Sequence, residues 1–165
     1  MVTRLAGLLR HSLESSRAQV VPLRVELTAV EYYLQIEQVR HGDRLRVTMD
    51  VPEVLHERTV PSFLLQPLVE NSIRHGFTDP QRPLHLVVRA REDREKLVLT
   101  VEDDGPGISD AKSLEGGIGL GNNRARLAAL YRGRASLDIA MGAHGNGTRV
   151  TIVLPLDAAG DVPSP

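Results

Sequence analysis

Leu65-Gln66-Pro67-Leu68-Val69-Glu70-Asn71-Ser72-Ile73-Arg74-His75-Gly76 is the stretch on which the fold turns. Leu65, Leu68, Val69 and Ser72 recur at intervals of three and four, which predicts a helix with one face suited to burial. Asn71 and His75 sit one turn apart on another side, and Glu70 is spaced to pair with Arg74. A carboxylate, an amide, a guanidinium and an imidazole therefore crowd the last two turns of an otherwise apolar helix. Alone, this reads as an amphipathic helix with a solvated polar end. Two glycine-rich stretches downstream, at 103–107 and 116–122, change that reading.

Working outward, Gly76 is placed to end the helix, and Phe77-Thr78-Asp79-Pro80 follows as loop. On the N-terminal side, Pro61 is expected to open the helix near its first turn. Pro67 removes one more backbone donor, so the helix starts late or bends there. Upstream, Leu23, Leu27, Val30 and Leu34 form the seam of a helix over residues 23–40, broadened by Tyr33 and Ile36. Leu5, Leu8, Leu9 and Leu13 predict an earlier helix over 4–16. Two such narrow seams need a partner surface, either the following domain or a second copy of the chain.

Between these helices and the central one the period changes to two. Leu45, Val47 and Met49 alternate with Arg44, Arg46, Thr48 and Asp50, a half-buried strand, and 52–59 is expected as loop. Residues 84–91 and 96–102 read as a hairpin around Glu92-Asp93-Arg94-Glu95. A helix over about 122–132, with Leu127, Leu130 and Tyr131 inward, precedes a last hairpin of 135–141 and 148–155. The small, polar, Pro-containing tail 157–165 is expected to be disordered. This order suits an α+β two-layer sandwich, a mixed and mostly antiparallel sheet with helices on one face, preceded by a helical segment. The expected boundaries are 1–41 for that segment, 42–156 for the sandwich and 157–165 for the tail.

Composition narrows the functional classes. The 165 residues are 41% hydrophobic, enough for one domain with a real core. A net charge of −1 gives no general attraction to nucleic acid, and two Phe, three Tyr and no Trp offer no base-stacking platform. The absence of Cys excludes disulfides and thiolate metal sites and fits a reducing compartment. No apolar run approaches the roughly 18 residues a membrane span needs, so membrane attachment is expected only through residues outside this sequence.

The glycine stretches carry the chemistry. Gly117-x-Gly119-x-Gly121 lacks the spacing of a dinucleotide fingerprint and is followed by no Gly-Lys-Ser/Thr. It does feed an expected helix start at Asn122-Asn123, where free N–H groups and the helix dipole favour phosphate. Asp103-Asp104-Gly105-Pro106-Gly107 at a strand end is by default a tight turn. Its functional alternative uses Asp103 as acceptor for the exocyclic amine of adenine, a position where guanine carries a carbonyl. Gly105 and Gly107 would leave room for the base against the backbone. Asn71 is suited to magnesium, which takes one or two protein oxygens and fills its shell with water and phosphate. Arg74 and His75, with Arg124 and Arg126 opposite, could meet phosphate oxygens, although Arg74 is equally placed to pair with Glu70. Glu70 is the nearby carboxylate able to accept a proton or orient an acceptor.

L-Q-P-L-V-E-N-S-I-R-H-G (65–76), D-D-G-P-G (103–107) and G-I-G-L-G-N (117–122) resemble the N, G1 and G2 boxes of the GHKL ATP-binding superfamily. That superfamily includes DNA gyrase, heat-shock chaperone ATPases, mismatch-repair ATPases and histidine kinases. The narrower wording Q-P-L-V-E-N is similar to the LytS-type sensor histidine kinases. L-L-R-H-S-L (8–13), V-E-L-T-A-V-E-Y-Y-L-Q-I-E (25–37), R-L-A-A-L-Y (126–131) and G-T-R-V-T-I-V-L-P (147–155) carry the same likeness.

The resemblance implies a Bergerat-type sandwich binding Mg2+ and ATP. Asn71 would take the metal, Asp103 the adenine amine, and Gly105 and Gly107 the base. Gly117, Ile118, Gly119, Leu120 and Asn122 would belong to the phosphate lid, Thr148 would support the adenine end, and Glu70 would assist the phosphoacceptor. Asp104 departs from the Asn common in these kinases. The family's acceptor histidine lies in a P-H-F-x-x-N-like segment, a setting no histidine here has; His11 sits in the later arm of the dimerisation hairpin. The acceptor is thus expected outside this chain, on a dimerising helix of a cytoplasmic kinase region that passes phosphate to a response regulator. His41, His56, His85 and His144 read as surface residues. The alternatives are a GHKL module that binds ATP without phosphotransfer, a plain ATPase, and a serine kinase of the anti-sigma-factor type. The serine kinase would lack the helices at 4–16 and 23–40.

Overall fold

A computed structural model describes residues 18–79, 81–107, 118–143 and 145–156. The helix expected at 4–16 with His11, the linker 108–117 with Gly117, His144 and the tail 157–165 lie outside these residues. The elements are β1 (Val20–Pro22), α1 (Leu23–His41), β2 (Leu45–Asp50), β3 (Thr59–Pro61), α2 (Gln66–Gly76), β4 (Leu84–Asp93), β5 (Lys96–Asp103), α3 (Ile118–Tyr131), β6 (Ser136–Met141) and β7 (Thr148–Pro155). Five strands form one sheet in the order β2-β4-β5-β7-β6. β2 runs parallel to β4, and the other pairings are antiparallel. The expected mixed, mostly antiparallel sheet is the one observed.

Period-two alternation turns alternate residues of each strand to one side. Leu45, Leu84, Leu86, Val88, Leu97, Leu99, Val101, Val150, Ile152 and Leu154 share a core with Leu23, Leu27, Val30 and Leu34 of α1, with Leu68, Val69 and Ile73 of α2, and with Leu127 and Tyr131 of α3. All three helices therefore cover one face, and each fully buried leucine contributes roughly 1.5–3 kcal/mol of burial. The seam of α1 is continuous with this core, so the boundary expected at 41/42 is not a break in packing. The partner surface that α1 required is this domain itself.

The opposite face carries a charge ladder. Arg89 lies 3.7 Å from Asp50 and 3.4 Å from Glu102, and Arg149 lies 2.9 Å from Glu102. Burial alone would raise the Glu102 carboxyl, but the Arg149 hydrogen bond, the Ala143 N–H and the two guanidinium charges together hold it below its ordinary value.

Two expectations about helix starts are corrected. Pro61 does not open α2: it ends β3, paired with Val20 of β1 in a two-stranded sheet that stands where a loop to Thr59 and a helix start at Pro61 are expected. Phe63 has φ +56, outside the helical region, so the helix begins only at Gln66, with Pro67 in its first turn. α3, in contrast, starts four residues earlier than expected, taking Gly119 and Gly121 into its first turn. Leu120, Asn123, Leu127 and Tyr131 are its buried residues, spaced three, four and four, and this stripe defines the helix despite the glycines. Arg132 (φ +47) and Gly133 (φ +81) then turn the chain out of it. His41, expected at the surface, is 15% exposed in its side chain, 3.2 Å from Glu37 and stacked on Phe77 at 3.9 Å.

Candidate functional site

β5 ends in the core, which makes its last residue unusual. Asp103 is 5% exposed. Its Oδ1 accepts the Gly105 N–H at 3.1 Å and the Thr148 N–H at 3.3 Å. Burial pushes its carboxyl above the ordinary value of 3.8; hydrogen bonds from Ser72, Gly105 and Thr148 oppose that shift, and the neighbouring Asp104 charge adds to it. A buried carboxylate held in place while its ionised form is disfavoured is a candidate functional group.

Ser72 is the residue after Asn71, so that contact joins the end of β5 to α2. A second junction lies a turn further on. A Cβ on Gly105 would come 2.8 Å from the Gly76 Cα and 3.0 Å from Asp103 Oδ1, so the two backbones meet where only glycine fits. Gly107 has φ +79, and a Cβ there would lie 2.9 Å from the Gly147 carbonyl oxygen. Gly147 (φ +73) packs so tightly that its own Cβ would overlap the Asp103 carbonyl oxygen. Gly147→Ala is therefore expected to cost about 3 kcal/mol through left-handed strain plus overpacking, read as a lowered urea midpoint.

Asn71 lies half-buried on α2, and its Oδ1 accepts a hydrogen bond from Arg74 Nη2. Glu70 Oε1 accepts one from Gln66 Nε2 at 2.8 Å. The expected Glu70–Arg74 pairing thus gives way to two other contacts, since Gln66 lies one turn before Glu70 and Arg74 reaches back three residues to Asn71. Tyr33 of α1 borders this group: burial, then the charges of Glu37 and Glu70, push its phenol up to about 12, while Arg40 and Arg74 pull the other way. It remains a neutral hydrogen-bond donor. His75 is exposed on the last turn of α2.

The start of α3 approaches from the other side. A Cβ on Gly119 would lie 3.5 Å from Pro67 Cβ and 3.9 Å from Asn71 Nδ2. Because the helix starts at Ile118, the N–H groups left open at its N-terminus belong to residues 118–121 rather than to Asn122-Asn123. Asn122 is exposed on the second turn, and Leu120 is 8% exposed and packs in the core. Arg126, expected to face phosphate, is instead structural, and so is Asn123 at the expected helix start. Asn123 is 1% exposed and donates to the Leu64 carbonyl at 3.0 Å, and Arg126 donates to the Ser62 carbonyl.

The geometry thus gathers Asn71, Ser72, Gly76, Asp103, Gly105, Gly107, Gly119 and Thr148 around one region on the helix-covered side of the sheet. An adenine nucleotide fits the donor set: a buried acceptor-only carboxylate, two glycine backbones without Cβ shielding, and a helix N-terminus beside the Asn71 amide. Among the described residues, no group of three or more His, Cys, Asp and Glu could hold a metal. A cation at Asn71 would need phosphate and water as its other ligands, which suits magnesium. A cleft of about 200 Å³ opens on another side of Asp103, which lines it together with His85, Glu102, Asp104 and Arg149. Glu102 and Arg149 are engaged there in the outer ladder, and no glycine is among its lining residues. The sequence gives Ser72 no signal beyond its place in the buried stripe of α2, and Tyr33 none beyond the face of α1; only the fold brings them to Asp103 and to Glu70 and Arg74.

Residues 58–158 match the family described as "Histidine kinase-, DNA gyrase B-, and HSP90-like ATPase", and residues 1–45 match one described as "Histidine kinase". The sensor histidine kinase YesM of Bacillus subtilis is 33% identical over 159 residues, covering 94% of this chain and 27% of that protein. The sensor protein LytS of Staphylococcus saprophyticus is 33% identical over 168 residues, covering 94% of this chain and 28% of its own. The chain thus spans about a quarter of the length of these relatives. The histidine kinase AdeS of Acinetobacter baumannii shares the fold at a TM-score of 0.61 and 19% identity, over 94% of this chain and 77% of its own. No helix among the described residues is long and apolar enough to cross a membrane. With the N-box helix, the Asp103 turn and the start of α3 in one place, and with most of its length matching, the chain belongs to the histidine kinase-, DNA gyrase B- and HSP90-like ATPase family.

Proposed function

We propose that this chain is the ATP-binding catalytic part of a two-component sensor histidine kinase, and that it places the γ-phosphoryl group of ATP before a histidine on a dimerising helix. The observation that carries this reading is the Asp103 carboxylate, buried, fixed by Gly105 and Thr148, and joined through Ser72 to the helix bearing Asn71. In this reading Asp103 accepts the adenine amine, and Gly105 and Gly107 leave the base its place against the backbone. Asn71 would hold magnesium, and Arg74 and His75 on the same end of α2 would be available to phosphate oxygens. Gly117, Ile118, Gly119 and Asn122 would belong to the phosphate lid, and Leu120 packs in the core at its edge. Bound Mg2+ and ATP supply the phosphoryl group and neutralise its charge. Glu70, held by Gln66, orients the incoming imidazole.

Catalysis of this kind is positioning and charge neutralisation rather than covalent chemistry by the domain. The acceptor helix, its dimerisation with a second copy, the response regulator that takes the phosphoryl group and any membrane anchor belong to the longer protein, with this part in the cytoplasm. The 165-residue chain is expected to bind ATP and to phosphorylate itself little or not at all. Calorimetry is the test: magnesium-dependent ATP binding with GTP weaker by about tenfold or more is expected, because an unmatched polar group costs about 1–3 kcal/mol. Equal affinities for the two nucleotides would remove Asp103 from its role. Joining an acceptor-histidine segment upstream should then yield acid-labile, base-stable phosphorylation. A phosphoserine product would move the chain to the serine-kinase class.

A further inference from the structure

The four residues before α2 are where three separate parts of the chain meet. Glu26, on α1 and 2% exposed, accepts the N–H groups of Phe63 at 2.7 Å, Leu64 at 2.8 Å and Leu65 at 2.9 Å. From α3, Asn123 donates to the Leu64 carbonyl and Arg126 to the Ser62 carbonyl. Ser62 in turn donates its hydroxyl to the Ala18 carbonyl at 2.8 Å and its N–H to the Gln19 carbonyl at 3.1 Å. The chain entering the domain, the helix after the phosphate cover and α1 therefore all hold the turn that sets where α2 begins.

The chemistry explains why a carboxylate is used. Donors that precede a helix have no intrahelical partner, and they sit at its positive end. A buried carboxylate is tolerable only when hydrogen-bonded, so Glu26 and these three N–H groups depend on each other. At the far end of the helix pair, His41 of α1 stacks on Phe77, the residue after α2, with Arg44 5.3 Å above the same ring. α1 is thus clamped to α2 at both ends and runs alongside it, past Glu70 and Arg74 at Tyr33.

We propose that Glu26 is a positioning residue for the metal half of the nucleotide site. Through the start of α2 it sets the position of Asn71, so that α1 and the strand before it govern metal–nucleotide affinity without touching the nucleotide. This rests on the nucleotide reading above. The base half shares the Ser72 contact with α2 but has further anchors of its own, because Asp103 ends β5 and accepts the Gly105 and Thr148 N–H groups. Displacement of α1 by the chain upstream would then loosen the metal contact and leave adenine recognition largely in place.

The test is calorimetry on the 165-residue chain with ATP in magnesium and with ATP in excess chelator. Glu26→Gln removes the charge and turns an amide donor toward the N–H cluster. It is expected to weaken magnesium-ATP binding about tenfold and metal-free ATP binding by no more than about twofold, the scale of one charged hydrogen bond lost to one ligand and not the other. Glu31→Gln, exposed on the same helix, is expected to change neither. Where Glu26→Gln does not fold, Glu26→Asp is measured instead; it keeps the charge but withdraws it by one methylene, and a several-fold loss confined to the metal-bound nucleotide is expected. Equal loss of both affinities makes Glu26 merely structural and overturns the proposal, as does unchanged affinity in a folded variant. A parent chain that binds no ATP at all overturns the nucleotide reading itself, and this one with it.

Discussion

Asp103→Asn is expected to leave the chain folded and to weaken adenine-nucleotide binding by about 100-fold or more, the combined scale of a lost charged hydrogen bond and an unmatched donor facing the adenine amine. The amide oxygen of the variant can still accept the Gly105 and Thr148 N–H groups that Asp103 Oδ1 accepts now. The stability effect runs the other way. The folded carboxyl titrates above 3.8, so its contribution to stability is complete below the unfolded value and is lost as pH rises through the folded value. At pH 7 the ionised side chain costs the fold, and the neutral amide is expected to give a thermal midpoint equal to or above that of the parent. The same shift predicts the pH profile of the parent. Only the ionised form is acceptor-only, so ATP affinity should fall on acidification at a pH higher than an ordinary aspartate would set. Calorimetry from pH 7 downward, with thermal melts alongside, reads both effects. Retention of parental affinity by the variant would show that the buried carboxylate serves the fold and not the ligand.

That opposition between stability and binding also marks what the sequence could and could not disclose. Strands β2, β4, β5 and β7 and the seam of α1 announce themselves by local period, because one face of each meets a single continuous core. The N-box stripe is legible for the same reason: Leu65, Leu68, Val69 and Ser72 all end up buried. β1 and β3 were not legible, since three residues carry no period and their pairing joins positions forty apart. Glu26 reads in one dimension as one more solvated charge on a helix. Only the placement of 63–65 against α1 makes it an acceptor. The helix start expected at Asn122-Asn123 misleads in the opposite sense: α3 begins at Ile118, and the Asn123 amide bonds the Leu64 carbonyl. Asp103 stands out in the sequence because its neighbours are glycines, and these allow the close approach of Gly105 to Gly76 and of Gly107 to Gly147.

Asn71→Ala, in a chain joined to its acceptor-histidine segment, is expected to lower phosphotransfer by about 100-fold or more, the scale for removing one preorganised electrostatic contact at the reacting group. The reason lies in how little else holds a metal here. Asn71 is the amide that α2 presents beside the start of α3, with Nδ2 toward Gly119 and Oδ1 toward Arg74, and no His, Cys, Asp and Glu cluster among the described residues could replace its oxygen. Its present partner, Arg74, is exposed and can leave that oxygen to a cation at small cost. The substitution should not unfold the helix, because alanine is the better helix former and the position is only half-buried. Binding is therefore expected to divide: ATP in chelator binds the variant about as it binds the parent, through Asp103, while added magnesium no longer tightens it. An Asn71→Ala protein that still answers to magnesium would place the metal on another ligand. It would also separate the two halves of the site, leaving the adenine end intact and moving the catalytic end elsewhere on α2.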